Sequence, residues 1–386
     1  MPGVIIVKNL STPSNWAVFH RSLGATKVME LNSNDDETTS SAYWNDTAPT
    51  STNFTLGSLS NVNGSGENYI AYLFAHDDQS FGANGDEAII KCGSFTTNSS
   101  SEATVNVGFE PQWFLIKSSS VNDSWYLFDT MRGFTVETDY FLQPNTSDAE
   151  STSSISFGYP TATGWSNVGD TSQFFANSDY IYIAIRRPHK PPEAASDVFG
   201  VVAGANEPSN SSGGGELTSA SGVLADLILH RPRKSSSGNA RVCDRLRGNS
   251  IWLNTTATST ESDASSIFGG YWKFDRQDQA YIPGPGYFNN TTSNTPYVVY
   301  SFTRAPGFFD VVAYTGTGSA TTVNHNLGAV PSVVLIKGRD TNFQWYWQHY
   351  ALGANTWMQL NKDEEQASNG TLFNSTLPTS SVFSVG

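Results

Sequence analysis

The sequence predicts an all-β chain: a tandem array of about four antiparallel, jelly-roll-like β-sandwich modules. Three observations predict it. Short strings rich in Val, Ile, Tyr, Phe and Trp alternate with Gly-, Asn-, Ser- and Thr-rich turns. No segment sustains a 3.6-residue apolar period between caps. The strings recur about every 110 residues, a length that suits seven or eight short strands. Composition agrees. Aromatic residues make up 13% of the 386, too many for a disordered chain, and only 15% are charged, which leaves few Lys and Glu to build helices.

The elements follow one order in every repeat. Each begins with an apolar strand: VIIVK at 4–8, WFLIK at 113–117, DLILH at 226–230 and VVLIK at 333–337. A polar loop leads to a second strand at 16–19, 125–128, 240–243 and 345–348, which is aromatic in three of the repeats. A turn then closes on Gly24, Gly133, Gly248 or Gly353. A Leu-plus-Asn signal follows at Leu31-Asn32, Leu142 with Asn145, Leu253-Asn254 and Leu360-Asn361, ahead of an acidic Ser/Thr-rich loop. Three repeats end on a closing strand: YIAYLF at 69–74, YIYIAI at 180–185 and YVVYSF at 297–302. Opening strands are expected at 88–90 and 198–202.

These landmarks divide the chain into modules 1–85, 86–196, 197–307 and 308–386. The first lacks an opening strand and the last a closing strand, so a window from a longer protein is expected. The junctions Arg186-Arg187-Pro188 and Arg304-Ala305-Pro306 pass almost directly into new strands, which predicts coupled modules. The Gly/Ser-rich stretch 207–222 reads as an exposed flexible loop.

At WNDTAPTSTNFTLG (44–57), YIAYLFA (69–75), YIYIAIRRP (180–188) and RAPGFFDVVAYTGTGSATTVNHNL (304–327), the chain resembles a repeated module of tail-fibre-like structural proteins of tailed bacteriophages, especially marine ones. The resemblance covers nearly the whole chain. It implies a virion location and hands over no catalytic residue and no ligand.

The residues themselves exclude several function classes. A net charge of −14 repels phosphate backbones, so nucleic acid is not an expected partner. No apolar run approaches the ~18 residues of a membrane span, so no membrane insertion is expected. Cys92 and Cys243 make neither a disulfide framework nor a zinc site and should not bridge. Nucleotide-binding, serine-hydrolase and zinc-protease motifs are absent.

What varies between repeats is more telling. Modules 2 and 3 carry Asp129-x-x-Arg132-Gly133 and Asp244-x-x-Arg247-Gly248, where modules 1 and 4 carry His20-x-x-Leu23-Gly24 and His349-x-x-Leu352-Gly353. Asp and Arg come and go together. An ion pair that fixes the turn is the expectation, and a ligand-contacting Arg the alternative. Trp165 and Trp272 lie in or beside turns and are the candidate glycan-contact aromatics, whereas Trp125 and Trp345 are expected in cores. The acidic runs at 34–37 and 363–365 read as solvated loops; no cofactor or metal is expected, with calcium as the alternative.

The resulting expectation is a non-enzymatic virion structural protein: a tail fibre or host-facing appendage that contributes to host attachment. It would be a homo-oligomer, with a trimer favoured, touching other virion proteins and a host surface glycan. The alternatives are a capsid-decorating or appendage-scaffold protein without a receptor role, and a tailspike-type polysaccharide depolymerase.

Overall fold

The VIIVK string is apolar at consecutive positions, the mark of a strand buried on both faces. Both faces are indeed covered. The computed structural model describes every residue except 83, 137–138, 152–156, 168–173, 189, 205–216, 220–221, 234–239, 264–273, 275–279 and 283–296. It is all-β, built from several separate antiparallel sheets, and divides into two units, Met1–Pro188 and His189–Gly386.

Unit 1 opens with β1 (Pro2–Asn9), β2 (Ala17–His20), β3 (Lys27–Glu30) and β4 (Thr38–Thr39). Two one-turn helices follow, α1 (Ser41–Trp44) and α2 (Ser60–Asn63), then β5 (Tyr69–Ala75). The sheet order is β4-β3-β2-β1-β5. On one face Ile5, Val7, Phe19 and Val28 pack beneath Trp44 and Val62, with Phe54 and Leu56 at the margin. The second layer of module 1 is therefore helix and loop, not the second sheet of a sandwich. Ser40 caps α1 by accepting the Ala42 N–H, and Trp44 meets Phe19 edge-on at 5.9 Å.

The other face of this sheet carries Val4, Ile6, Val18 and Met29. It packs directly on Cys92, Leu115, Trp125, Ile181 and Ile183 of a second five-stranded sheet. That sheet comprises β6 (Ile90–Thr96), β8 (Pro111–Ser118), β9 (Tyr126–Asp129), β10 (Phe141–Leu142) and β13 (Asp179–Arg186), in the order β10-β9-β8-β13-β6. Its far side faces β7 (Ala103–Asn106), β11 (Tyr159–Thr161) and β12 (Gly164–Asn167) across an aromatic core that includes Phe114, Phe128, Phe157, Trp165, Tyr180 and Tyr182. The string YIYIAI thus alternates between two cores: Tyr180, Tyr182 and Ala184 face one, Ile181 and Ile183 the other.

Unit 2 repeats the plan with β14 (Phe199–Gly204), β15 (Leu217–Ser219), β16 (Leu227–Pro232), β17 (Arg241–Asp244), β18 (Ile251–Asn254), β19 (Ser262–Asp263), β20 (Ala280–Ile282) and β21 (Tyr297–Phe302). Its last module adds β22 (Thr321–Asn324), β23 (Val333–Ile336), β24 (Tyr346–His349), β25 (Thr356–Gln359), β26 (Ala367–Ser368) and β27 (Val382–Val385). The main sheets run β14-β21-β16-β17-β18-β19 and β23-β24-β25-β26; β15 pairs with β20, and β22 with β27. Closing strands β13 and β21 lie between the VIIVK-type strand and the opening strand.

Several boundaries differ from the sequence expectation. The opening strands are β6 and β14, displaced C-terminally from 88–90 and 198–202, because the Pro- and Gly-rich approaches are spent on turns. The second strand of each repeat starts and ends one residue late, so its last residue is His20, Asp129, Asp244 or His349. The two compact units divide between Pro188 and His189. Each junction Arg is buried against an acid: Arg187 lies 3.5 Å from Glu110, and Arg304 lies 3.8 Å from Asp226. Cys92 and Cys243 are buried free thiols, and Cys243 opposes Ile228 as Phe19 opposes Ile5 and Phe128 opposes Phe114. Most of the 207–222 stretch lies outside the described residues.

Candidate functional site

The turn after the second strand is the most constant feature of the repeat. Gly24, Gly133, Gly248 and Gly353 all have positive φ (77°, 126°, 94° and 83°), a region costly for any residue with a Cβ. The residue that ends the strand caps the turn with its own side chain. Asp129 Oδ1 accepts the Arg132 N–H at 2.7 Å, and Asp244 Oδ1 accepts the Arg247 N–H at 3.0 Å. His20 Nδ1 accepts from Ser22 N–H and His349 Nδ1 from Ala351 N–H, each at 3.2 Å. Two chemistries perform one task.

In modules 2 and 3 the free carboxylate oxygen takes a guanidinium. Arg132 Nε lies 2.5 Å from Asp129 Oδ2, and Arg247 Nε lies 2.5 Å from Asp244 Oδ2. Each Arg also donates back into its strand, to Leu127 O (3.2 Å) and Val242 O (3.0 Å). The pair in module 3 is the more deeply buried. Both guanidinium groups hold the turn through Nε and one terminal nitrogen, and Arg132 Nη1 also pairs with Glu150 at 2.7 Å, a geometry that braces backbone rather than presenting a ligand contact.

His20 does more than cap. Its Nε2 meets Tyr182 O of module 2 at 3.1 Å, in a buried setting. Because Nδ1 accepts, Nε2 carries the proton and donates it. Burial pulls the pKa of the ring from 6.5 down to about 4, so the ring is neutral. Beside it a cavity of about 10 Å³, room for about one water, is lined by Val4, Ile6, Leu31 and Trp125.

Trp165, expected as a glycan-contact aromatic, is buried. It stacks on Phe114 at 5.1 Å and meets Tyr182 edge-on at 5.1 Å. The preceding Gly164 serves close approach between strands, since a Cβ there would collide with Val105 O. Trp272 lies outside the described residues.

Trp125 and Trp345 are buried, but between modules rather than inside one. The Trp125 indole N–H donates to Glu30 O at 3.0 Å, and that of Trp345 to Asn254 O at 2.8 Å. The acidic loops join the same contact. Glu37 N–H donates to Ser119 O (3.2 Å), and Asp123 N–H to Asn34 O (2.8 Å). In unit 2, Glu261 N–H donates to Arg339 O (2.8 Å), and Arg339 pairs with the Glu261 carboxylate at 2.7 Å. Lys117 sits beneath the first of these contacts and donates to Ser118 O at 2.8 Å; burial pushes its ammonium down to about 8. Among the described residues no group of three or more His, Cys, Asp or Glu could hold a metal ion. The sequence offered no clue to the inter-module task of Trp125, because Trp16 holds the same repeat position and is only half-buried, stacked 6.2 Å from Tyr72.

A domain family described as a domain of unknown function, DUF7483, matches residues 1–186 and 208–386. The chain belongs to this family. Each matched stretch spans one pair of modules and lies within one compact unit. No curated protein and no solved structure matches the chain. In this DUF7483 chain the side chains that repeat from module to module are those that cap turns and join modules.

Proposed function

We propose that the protein is a non-enzymatic virion structural protein, a tail fibre or other host-facing appendage that contributes to host attachment. One observation carries the reading: the two modules of unit 1 share a buried apolar face, and the repeated polar residues of the chain are spent on turns and on the seams between modules. Such pairs are stiff building blocks, and their loops are free to vary at the ends. The resemblance to tail-fibre-like modules is what supports a virion location. The test is twofold. Antibodies to the chain should decorate an appendage of the intact particle in electron micrographs. The purified protein should bind host cells saturably without releasing reducing ends from their glycans. Absence from purified particles overturns the reading, and reducing-end release replaces it with a depolymerase.

A further inference from the structure

A glycine directly after an asparagine leaves the next backbone nitrogen unshielded, and that nitrogen can attack the carbon of the asparagine side-chain amide. The chain has three such pairs, Asn63-Gly64, Asn84-Gly85 and Asn369-Gly370. The fold treats them differently. Asn63 ends α2; its side-chain nitrogen donates to Gly57 O at 2.9 Å, and Gly64 N–H donates to the Tyr69 hydroxyl at 2.6 Å, so both reacting groups are held. Asn369 is held through its side-chain oxygen, which accepts the Thr371 N–H at 2.7 Å, while its own N–H donates to Asn355 O at 2.9 Å. Gly370 after it is packed: a Cβ there would lie 2.1 Å from Ser375 Oγ. Asn84, by contrast, is exposed, and its side chain makes no hydrogen bond among the described residues. Gly85, with a φ of 67°, has open space around it, and its N–H reaches Gly82 O at a long 3.3 Å.

We infer that Asn84 is a site of spontaneous covalent modification, converting through a cyclic imide with Gly85 to aspartate and isoaspartate. The Gly85 nitrogen gives its proton to solvent base and bonds to Asn84 Cγ; the Cγ–Nδ2 bond breaks and ammonia leaves. Water then opens the ring. Attack at one carbonyl yields aspartate on the original backbone, and attack at the other yields isoaspartate, whose backbone runs through the side-chain carbons. Water is the co-reactant, and nothing is oxidised or reduced. The place in the fold favours the reaction. The pair sits at the tip of the connection from β5 to β6, beyond a stem in which Phe81 and Glu87 exchange both backbone hydrogen bonds, at 3.1 and 2.9 Å. Arg186 Nη1 pins that stem at the Glu87 carboxylate, 2.6 Å away. The tip can therefore rearrange while the strands of both sheets stay in place, and it absorbs the extra backbone carbon of isoaspartate. The product also changes the local charge. It adds a carboxylate to a connection that already carries Asp77, Asp78, Asp86 and Glu87, so the link between modules 1 and 2 becomes more acidic with age. The inference does not depend on where the protein works.

The test follows the full, folded chain by peptide mapping during incubation in warm buffer at neutral and at alkaline pH. The peptide carrying Asn84 should gain about one dalton, become a substrate for an isoaspartyl methyltransferase used as a probe, and do both faster at the higher pH. It should convert at least about tenfold faster than the peptides carrying Asn63 and Asn369, which must first break their hydrogen bonds. In strong denaturant the three rates should converge, because only the fold separates them. Asn84→Gln, whose longer side chain would have to close a larger ring, should remove the signal from its peptide. Conversion at Asn63 or Asn369 that matches Asn84 in the folded chain overturns the inference, as does a tenfold difference that persists in denaturant. So does an Asn84 peptide that stays unmodified in the folded chain while the denatured chain converts.

Discussion

Position 20 and its equivalents show how one backbone need admits two side chains. The turn requires an acceptor for its N–H groups, and either a carboxylate or a neutral imidazole supplies it. The carboxylate needs a compensating cation where it is buried, which is why Asp129 and Asp244 come with Arg132 and Arg247. Removing that cation should cost more where burial is deeper. Arg247→Ala should therefore lose about 3–5 kcal/mol and Arg132→Ala about 1–3 kcal/mol, read from chemical denaturation. Cell binding by Arg132→Ala should be unaltered; loss of binding with unchanged stability would make Arg132 a ligand contact. The imidazole solution makes stability depend on pH. The unfolded chain protonates His20 near 6.5, but the folded chain resists until about 4. More protons are bound when unfolded across that window, so this contribution is fully present above 6.5 and is lost as pH falls from 6.5 to about 4. The loss amounts to roughly 3 kcal/mol. His20→Asn, which keeps a cap without titrating there, should lose correspondingly less stability between pH 7 and pH 4 than the unaltered protein. An identical loss would remove His20 as the cause.

At the scale of elements, the seam depends on a few close contacts. Gly3 on β1 passes so near Cys92 that a Cβ would lie 2.8 Å from its sulfur. The Trp125 indole reaches over the end of β3. Trp125→Phe keeps most of the packing and removes one of two donors to Glu30 O, which retains the Ser33 N–H, so it should cost about 0.5–1.5 kcal/mol. Trp16→Phe, at the same repeat position but half-exposed, should change stability by less than about 0.5 kcal/mol. Equal effects in urea titrations would mean that the seam does not use this bond. The strands were legible because their period and turns are local signals. The helix-and-loop layer over module 1 was not, because four-residue helices are too short to show a period. Trp165 was misread because Thr163-Gly164-Trp165 is a turn that leads straight into an inner strand, and local sequence does not say which side of a strand meets the core. The Asp–Arg turns were legible because both partners vary together three residues apart. The partner of Trp125, ninety-five residues away, left no comparable trace.

The whole molecule is better counted in pairs than in fours. A strand such as β1 or β13 gives one face to its own module and the other to its neighbour, so each module of unit 1 has one core of its own and shares a third with its neighbour. Burying one Val, Leu, Ile, Met or Phe side chain contributes roughly 1.5–3 kcal/mol. The shared face buries Val4, Ile6, Val18 and Met29 on one side and Leu115, Ile181 and Ile183 on the other. Separating the modules exposes all seven, and the sum exceeds most of the ~5–15 kcal/mol net stability of a domain. Where the chain is cut should therefore matter greatly. Residues 1–188 produced alone should melt in one cooperative transition, with both modules unfolding together in calorimetry. Residues 1–85 and 86–188 produced separately should each bind a hydrophobic dye, lack that transition, and regain it when mixed, because each supplies the apolar face that the other lacks. If 1–85 alone melts cooperatively at the temperature of 1–188, module 1 is held by its helix-covered face, and the seam is a contact between finished domains rather than a shared core.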